Sequence, residues 1–179
     1  FVLELTNLKE LILNNNKISE IPYRIDRLIN LEKLNLSCNK IKDLPDTICN
    51  LKNLKELKCD ENIIKEIPED ICKLASLEIL DLSYNAIEYI PKSIGKLKNL
   101  KKLNLSGNII KEIPEEIGEL ENLEELNLSY NKIEYLPDSI GKLKKLNELA
   151  LSRNEIKSLN KNIKNLKNLE KLYLLANEL

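Results

Sequence analysis

The chain has 179 residues, 42% of them apolar and 32% charged, with 28 Lys plus Arg against 29 Asp plus Glu for a net charge of −1. That composition supplies a sizeable core and excludes a disordered segment, while the balanced charge excludes a basic protein built to hold nucleic acid or an anionic membrane surface. No apolar run reaches the length of a bilayer span, and the opening "FVLELTNLKE" has no basic stretch ahead of an apolar one, so neither an anchor nor an export signal is expected in it.

Read from its start, the chain enters part-way through a pattern: Val2 and Leu5 take the places that Ile25 and Leu28 take one period later. From Leu8 the frame L-x-x-L-x-L-x-x-N-x-L, with Ile or Cys replacing some Leu, begins again every 23 residues, at Leu31, Leu54, Leu77, Leu100, Leu123, Leu146 and Leu169. The eighth unit stops at Leu179. The whole of 1–179 is therefore one repeat domain. Both ends fall in mid-repeat with no polar cap, and there is no Met. Either the chain is a piece of a longer one, or two bare ends meet in an oligomer.

Each unit opens with a short strand. Its L-x-L piece, such as Leu80-Asp81-Leu82, alternates apolar and polar, which buries one face. Next comes an Asn among apolar neighbours: Asn16, Asn39, Asn62, Asn85, Asn108, Asn131, Asn154 and Asn177. A buried amide is tolerated only when its donors and acceptor are matched, so the eight are expected to form a ladder, each bonding backbone groups of the adjoining turn. An apolar residue, two polar ones and then Ile-Pro or Leu-Pro follow, at Pro22, Pro45, Pro68, Pro91, Pro114 and Pro137. Pro fixes φ and lacks an N–H, which suits the first turn of a short segment leaving the sheet. The return path sets Ile94, Leu97 and Leu100, and their equivalents, at three-residue spacing toward the interior. No unit can enclose its own apolar side chains, so stacking is obligatory.

Eight such frames, with halves like "IPKSIGKLKNL" and "LPDSIGKLKKL", resemble the leucine-rich-repeat family over the whole length. They are similar to the 23-residue subclass found in intracellular Ras-associated repeat proteins and in related microbial proteins. The resemblance implies an α/β fold: a right-handed curved solenoid, with a parallel sheet on its concave face and short 3-10 or extended segments on the convex one. At about 4.8 Å per strand, eight strands span roughly 34 Å. The pattern departs at the seventh unit, where Asn160 stands in the Pro place and Lys164 in a small-residue slot, leaving that convex segment in doubt.

With no His there is no usual general base and no imidazole metal ligand, so conventional Ser-His-Asp or Cys-His catalysis is excluded and no enzyme, metal or cofactor is expected. Gly95, Gly118 and Gly141 share one slot and read as steric fits, not as a phosphate loop. Glu115-Glu116 reads as solvated surface. Cys59 stands in a core position, Cys49 and Cys72 fill the slot that later units give to Gly, and Cys38 is expected to be the exposed thiol. A disulfide between Cys49 and Cys72 is the sharper alternative to two small residues. No cysteine spacing fits a zinc site. The sequons at Asn35, Asn104 and Asn127 all arise from the phrase "LNLS" and read as accidental, which with reduced thiols favours a cytoplasmic protein. A secreted protein made without glycosylation fits the same residues.

If the sheet lies as the resemblance implies, binding residues stand on its concave face. Charges alternate there and no basic stripe exists, so the partner expected is another protein. Tyr84 and Tyr130 share a slot two units apart, roughly 10 Å. Ile63, Ala86 and Ile109 form an apolar strip beside them. Lys58, Asp60, Asp81, Asn104, Asn127, Arg153 and Tyr173 complete the candidate set. Tyr gives large contact area with few rotors to freeze, which favours an anchoring role. Repeat duplication copies surface residues too, which is the bland alternative. Three classes of function remain open: a protein-binding module of a scaffold or signalling regulator, a secreted or cell-surface recognition or adhesion protein, and the targeting domain of a larger enzyme.

Overall fold

The structure, a computed structural model, describes residues 2–179. Eight three-residue strands form one parallel sheet in chain order: β1 (Glu10–Ile12), β2 (Lys33–Asn35), β3 (Glu56–Lys58), β4 (Ile79–Asp81), β5 (Lys102–Asn104), β6 (Glu125–Asn127), β7 (Glu148–Ala150) and β8 (Lys171–Tyr173). Every pairing is offset by one period, so Leu34, Leu57, Leu80, Leu103, Leu126 and Leu149 stand in a single inward column, each at most 1% exposed. The expected strand is displaced by one residue. β4 covers Ile79–Asp81 rather than starting at Leu80, and Leu82 lies just past it, still fully buried.

Between strands the chain makes five-residue 3-10 turns, for example Lys92–Lys96. Pro91 sits just before this turn at φ −65°, and its carbonyl accepts from Ile94 N–H at 3.0 Å. Leu97 N–H then reaches Ile94 and Leu100 N–H reaches Leu97, at 3.1 and 3.0 Å. Three successive bonds of this span keep the three-residue period, which is why Ile94, Leu97 and Leu100 are all buried. The doubtful seventh segment forms as well. Asn160 takes φ −63° and its side chain accepts from Asn162 N–H at 2.8 Å, replacing the rigidity of Pro with a cap over Lys161–Asn165.

The glycine slot is a matter of close approach. A Cβ on Gly118 would lie 2.5 Å from the Ser139 carbonyl oxygen, and one on Gly95 would lie 2.4 Å from that of Glu116. Cys49 and Cys72, in the same slot, are free thiols, the first buried and the second half-buried. Burial pushes the Cys49 thiol up to about 12. Glu115 is more than solvated surface: its carboxylate accepts from Ser139 and Asp138 N–H at 2.9 and 3.1 Å, capping the next turn.

The asparagine ladder forms with one polarity. Asn108 Nδ2 donates to Leu105 O in its own unit and to Leu82 O in the preceding one, both at 3.0 Å, while its Oδ1 accepts from Ile87 N–H at 2.9 Å. Asn39, Asn62, Asn85, Asn131, Asn154 and Asn177 repeat these bonds. Asn16 is exposed and bonds only within its own unit. A second ladder runs along the return path, where Asn30, Asn53, Asn99, Asn122 and Asn168 each donate to a carbonyl 24 residues earlier, at 2.6 to 2.9 Å.

Candidate binding face

The outward face of the sheet is built from three columns. The first is the opening residue of each strand, and it is neutralised from within: Glu10 pairs with Lys33, Lys102 with Glu125 and Glu148 with Lys171, at 2.7 to 2.9 Å. The second is the closing residue of each strand, which holds Lys58, Asp81, Asn104, Asn127 and Tyr173. Here part of the polar chemistry is already spent. Asn35, Asp81, Asn104 and Asn127 each accept the N–H of the serine two residues on, at 3.0 to 3.2 Å, which is an Asx turn closing the strand. Ser37, Ser83, Ser106 and Ser129, polar residues next to the sheet's outward face, are buried at that turn.

The third column follows the serines, and there the turn imposes a left-handed backbone. Asn15, Cys38, Glu61, Tyr84, Tyr130, Arg153 and Ala176 all have φ between 51° and 58°, and Gly107 has φ 66°. Only Gly adopts this region without a steric cost, and for other residues it costs about 1–2 kcal/mol. All eight units share it, so the turn demands it and the residues accept it.

Tyr84 and Tyr130 are 55% and 50% exposed in this column, with Gly107 between them. The Tyr84 ring lies across Gly107, whose absent Cβ would fall 2.6 Å from its Cδ1. Tyr130 carries the Arg153 guanidinium, 5.2 Å from its ring centre. Ile63 and Ile109, also exposed, flank the pair with the half-buried Ala86 between them. The structure thus brings together Tyr84, Tyr130, Arg153, Ile63 and Ile109, with Asp60, Asp81, Asn104 and Asn127 along one side. Lys58 is drawn to Glu56 at 2.6 Å, and Tyr173 stands apart on β8 in the column of Asn127 and Ala150. Cys38, expected to be exposed, is half-buried and donates its thiol to Glu61 at 3.5 Å.

Family models match nearly the full length: "Leucine Rich repeats (2 copies)" at residues 6–50, "Leucine rich repeat" at 29–87 and 52–110, and "Leucine-rich repeat region" at 96–178. The chain belongs to the leucine-rich-repeat family. Among solved structures, this leucine-rich-repeat chain is similar to a protein of the same family from Leptospira interrogans, with 42% identity and a TM-score of 0.96 over 99% of this chain and 45% of that one. It is also similar to the PEPR1–AtPEP1 structure, with 34% identity and a TM-score of 0.86 over 98% of this chain and 26% of that one. The plant peptide hormone receptor RGFR1 in complex with RGF2 is similar at 28% identity and a TM-score of 0.72, covering 98% of this chain and 34% of that one. This leucine-rich-repeat chain thus spans less than half the length of each. No curated protein matches it.

Proposed function

We propose that this solenoid is a protein-recognition module that grips a protein or peptide partner on its concave face, serving as the binding part of a scaffold or signalling regulator and not as a catalyst. The observation that carries this reading is the column of Tyr84, Gly107, Tyr130 and Arg153. Two half-exposed rings stand in one column over the sheet, and a tyrosine side chain has few rotors to freeze on binding. Around them the chain's own ion pairs neutralise the charges on the opening strand residues, which leaves the aromatic and apolar column open to an approaching partner. Two of the similar structures, PEPR1–AtPEP1 and RGFR1 in complex with RGF2, each join two components, which supports recognition as the task. They also support the second reading, a secreted or cell-surface recognition protein, since one is named as a peptide hormone receptor. The chain itself contains no helix long and apolar enough to cross a membrane among its described residues.

The test is the double substitution Tyr84→Ala with Tyr130→Ala, compared with Tyr89→Ala and Tyr135→Ala on the flank. Loss of each central tyrosine is expected to cost a bound partner about 1–2 kcal/mol. Equal affinity for the concave and flank variants would remove the column from the site.

A further inference from the structure

The concave face is neutralised unevenly. Glu10, Glu56, Glu125 and Glu148 each hold a lysine of this chain at 2.6 to 2.9 Å. Among the described residues, no Lys or Arg nitrogen comes within ion-pair distance of Asp60, Glu61 or Asp81. These three are met only by neutral donors. Ser37 donates its hydroxyl to Asp60, Cys38 its thiol to Glu61 at 3.5 Å, and Ser83 and Asn104 donate to Asp81 at 2.7 and 3.1 Å. The three carboxylates therefore have no cation of this chain beside them.

Tyr84 repeats the imbalance. One unit beyond Tyr130, in the same slot, stands Arg153, and its guanidinium lies over the Tyr130 ring at 5.2 Å. One unit beyond Tyr84 that slot holds Gly107, which leaves the ring without a cation and 55% exposed. At the next unit on the other side, one strand spacing away, is Glu61. The chain supplies to Tyr130 what it withholds from Tyr84, and it places uncompensated acid next to the ring left bare.

We infer that the acidic patch of Asp60, Glu61 and Asp81 beside Tyr84 seats an arginine side chain of the protein partner. The guanidinium stacks on the open face of the Tyr84 ring and donates to Glu61 and Asp60. A planar guanidinium suits both the ring and the acids, since it stacks on an aromatic face and forks onto carboxylates, which an ammonium does less well. Ile63, exposed beside Glu61 at the edge, gives the aliphatic stem apolar surface. This inference rests on the concave-face reading above and narrows it to one anchor.

The test is selection of random linear displayed peptides on the chain, with EDTA present, followed by affinity measurements on synthetic copies. Arginine enriched at one position is expected, with a loss of at least about tenfold when that arginine becomes citrulline and a similar loss on the Asp60→Asn, Glu61→Gln variant. Circular dichroism checks that this variant folds. Arginine-bearing binders unaffected by that variant would overturn the inference. Binders that depend on Tyr84 and Tyr130 but show no preference for arginine would overturn it and leave the concave reading standing. No binders either with EDTA or with Zn2+, or binders indifferent to both tyrosines, would overturn the two together. Binding seen only when Zn2+ replaces EDTA would also overturn it, assigning Cys38, Asp60 and Glu61 to a metal instead.

Discussion

Replacing Asn108 by Ala removes a buried amide from the middle of the ladder, and the loss can be worked bond by bond. Ile87 N–H has Asn108 Oδ1 as its hydrogen-bond acceptor and is left with none. Leu82 O loses one donor but keeps Asn85, and Leu105 O loses one but keeps Asn131, since each of these carbonyls serves the asparagines of two units. One orphaned donor costs about 1–3 kcal/mol and each weakened acceptor about 0.5–1.5 kcal/mol, so Asn108→Ala should cost on the order of 2–6 kcal/mol. Asn16→Ala is the control: Asn16 is exposed and donates only to Leu13 and Asn14, so it should cost under about 1 kcal/mol. Urea unfolding followed by circular dichroism measures both. Equal losses for the two variants would refute the view that bonding between units, and not asparagine as a local turn former, stabilises the stack.

Gly118→Ala places a methyl 2.5 Å from Ser139 O, well short of the 3.4 Å at which ordinary contact begins, and should cost about 1–3 kcal/mol in the same assay; an unchanged midpoint would show that the convex turns do not touch as described. Cys38→Gly relieves a left-handed residue at φ 54° and should gain about 0.5–1 kcal/mol, with a loss counting against strain in that turn. Lys55 and then Lys9 hold the Glu32 carboxyl below its ordinary 4.5, and at Glu115 the Ser139 and Asp138 hydrogen bonds outweigh the upward push of burial. Carboxyls depressed in this way contribute stability above pH 4.5 that is lost as pH falls through their lower folded values, so Glu32→Gln with Glu115→Gln should flatten the acid limb of the stability profile. An unaltered limb would contradict this. Buried Cys49 and Cys59, their thiols pushed up by burial, should react with a thiol reagent at neutral pH only after denaturant is added.

The period carried most of the architecture. Leu at fixed spacing gave the inward column, Asn gave the ladder, and Ile-Pro marked each turn, because burial and backbone pairing act at every unit alike. What escaped the sequence reading depended on backbone geometry between those marks. Nothing in "LSYN" announces a left-handed residue when Tyr stands where Asn or Gly is usual, and the serine of the same phrase looks like surface until an Asx turn covers it. The second ladder was legible and passed over: Asn30, Asn53, Asn99, Asn122 and Asn168 keep the same 23-residue frame, with Ser76 and Lys145 interrupting it. At the candidate site, the tyrosine pair could be read from its spacing. The Tyr84 ring lying on Gly107 and Arg153 lying over Tyr130 could not, since each joins residues 23 apart through side-chain direction.

Tyrosines placed around the solenoid make hydroxyl-radical footprinting the sharpest probe of the concave binding face. With a selected peptide or partner bound, Tyr84 and Tyr130 should be strongly protected from oxidation, while Tyr23, Tyr89 and Tyr135, 75%, 72% and 60% exposed away from the concave face, should oxidise as fast as in the free chain. Protection of Tyr23, Tyr89 or Tyr135 with Tyr84 and Tyr130 left open would contradict it.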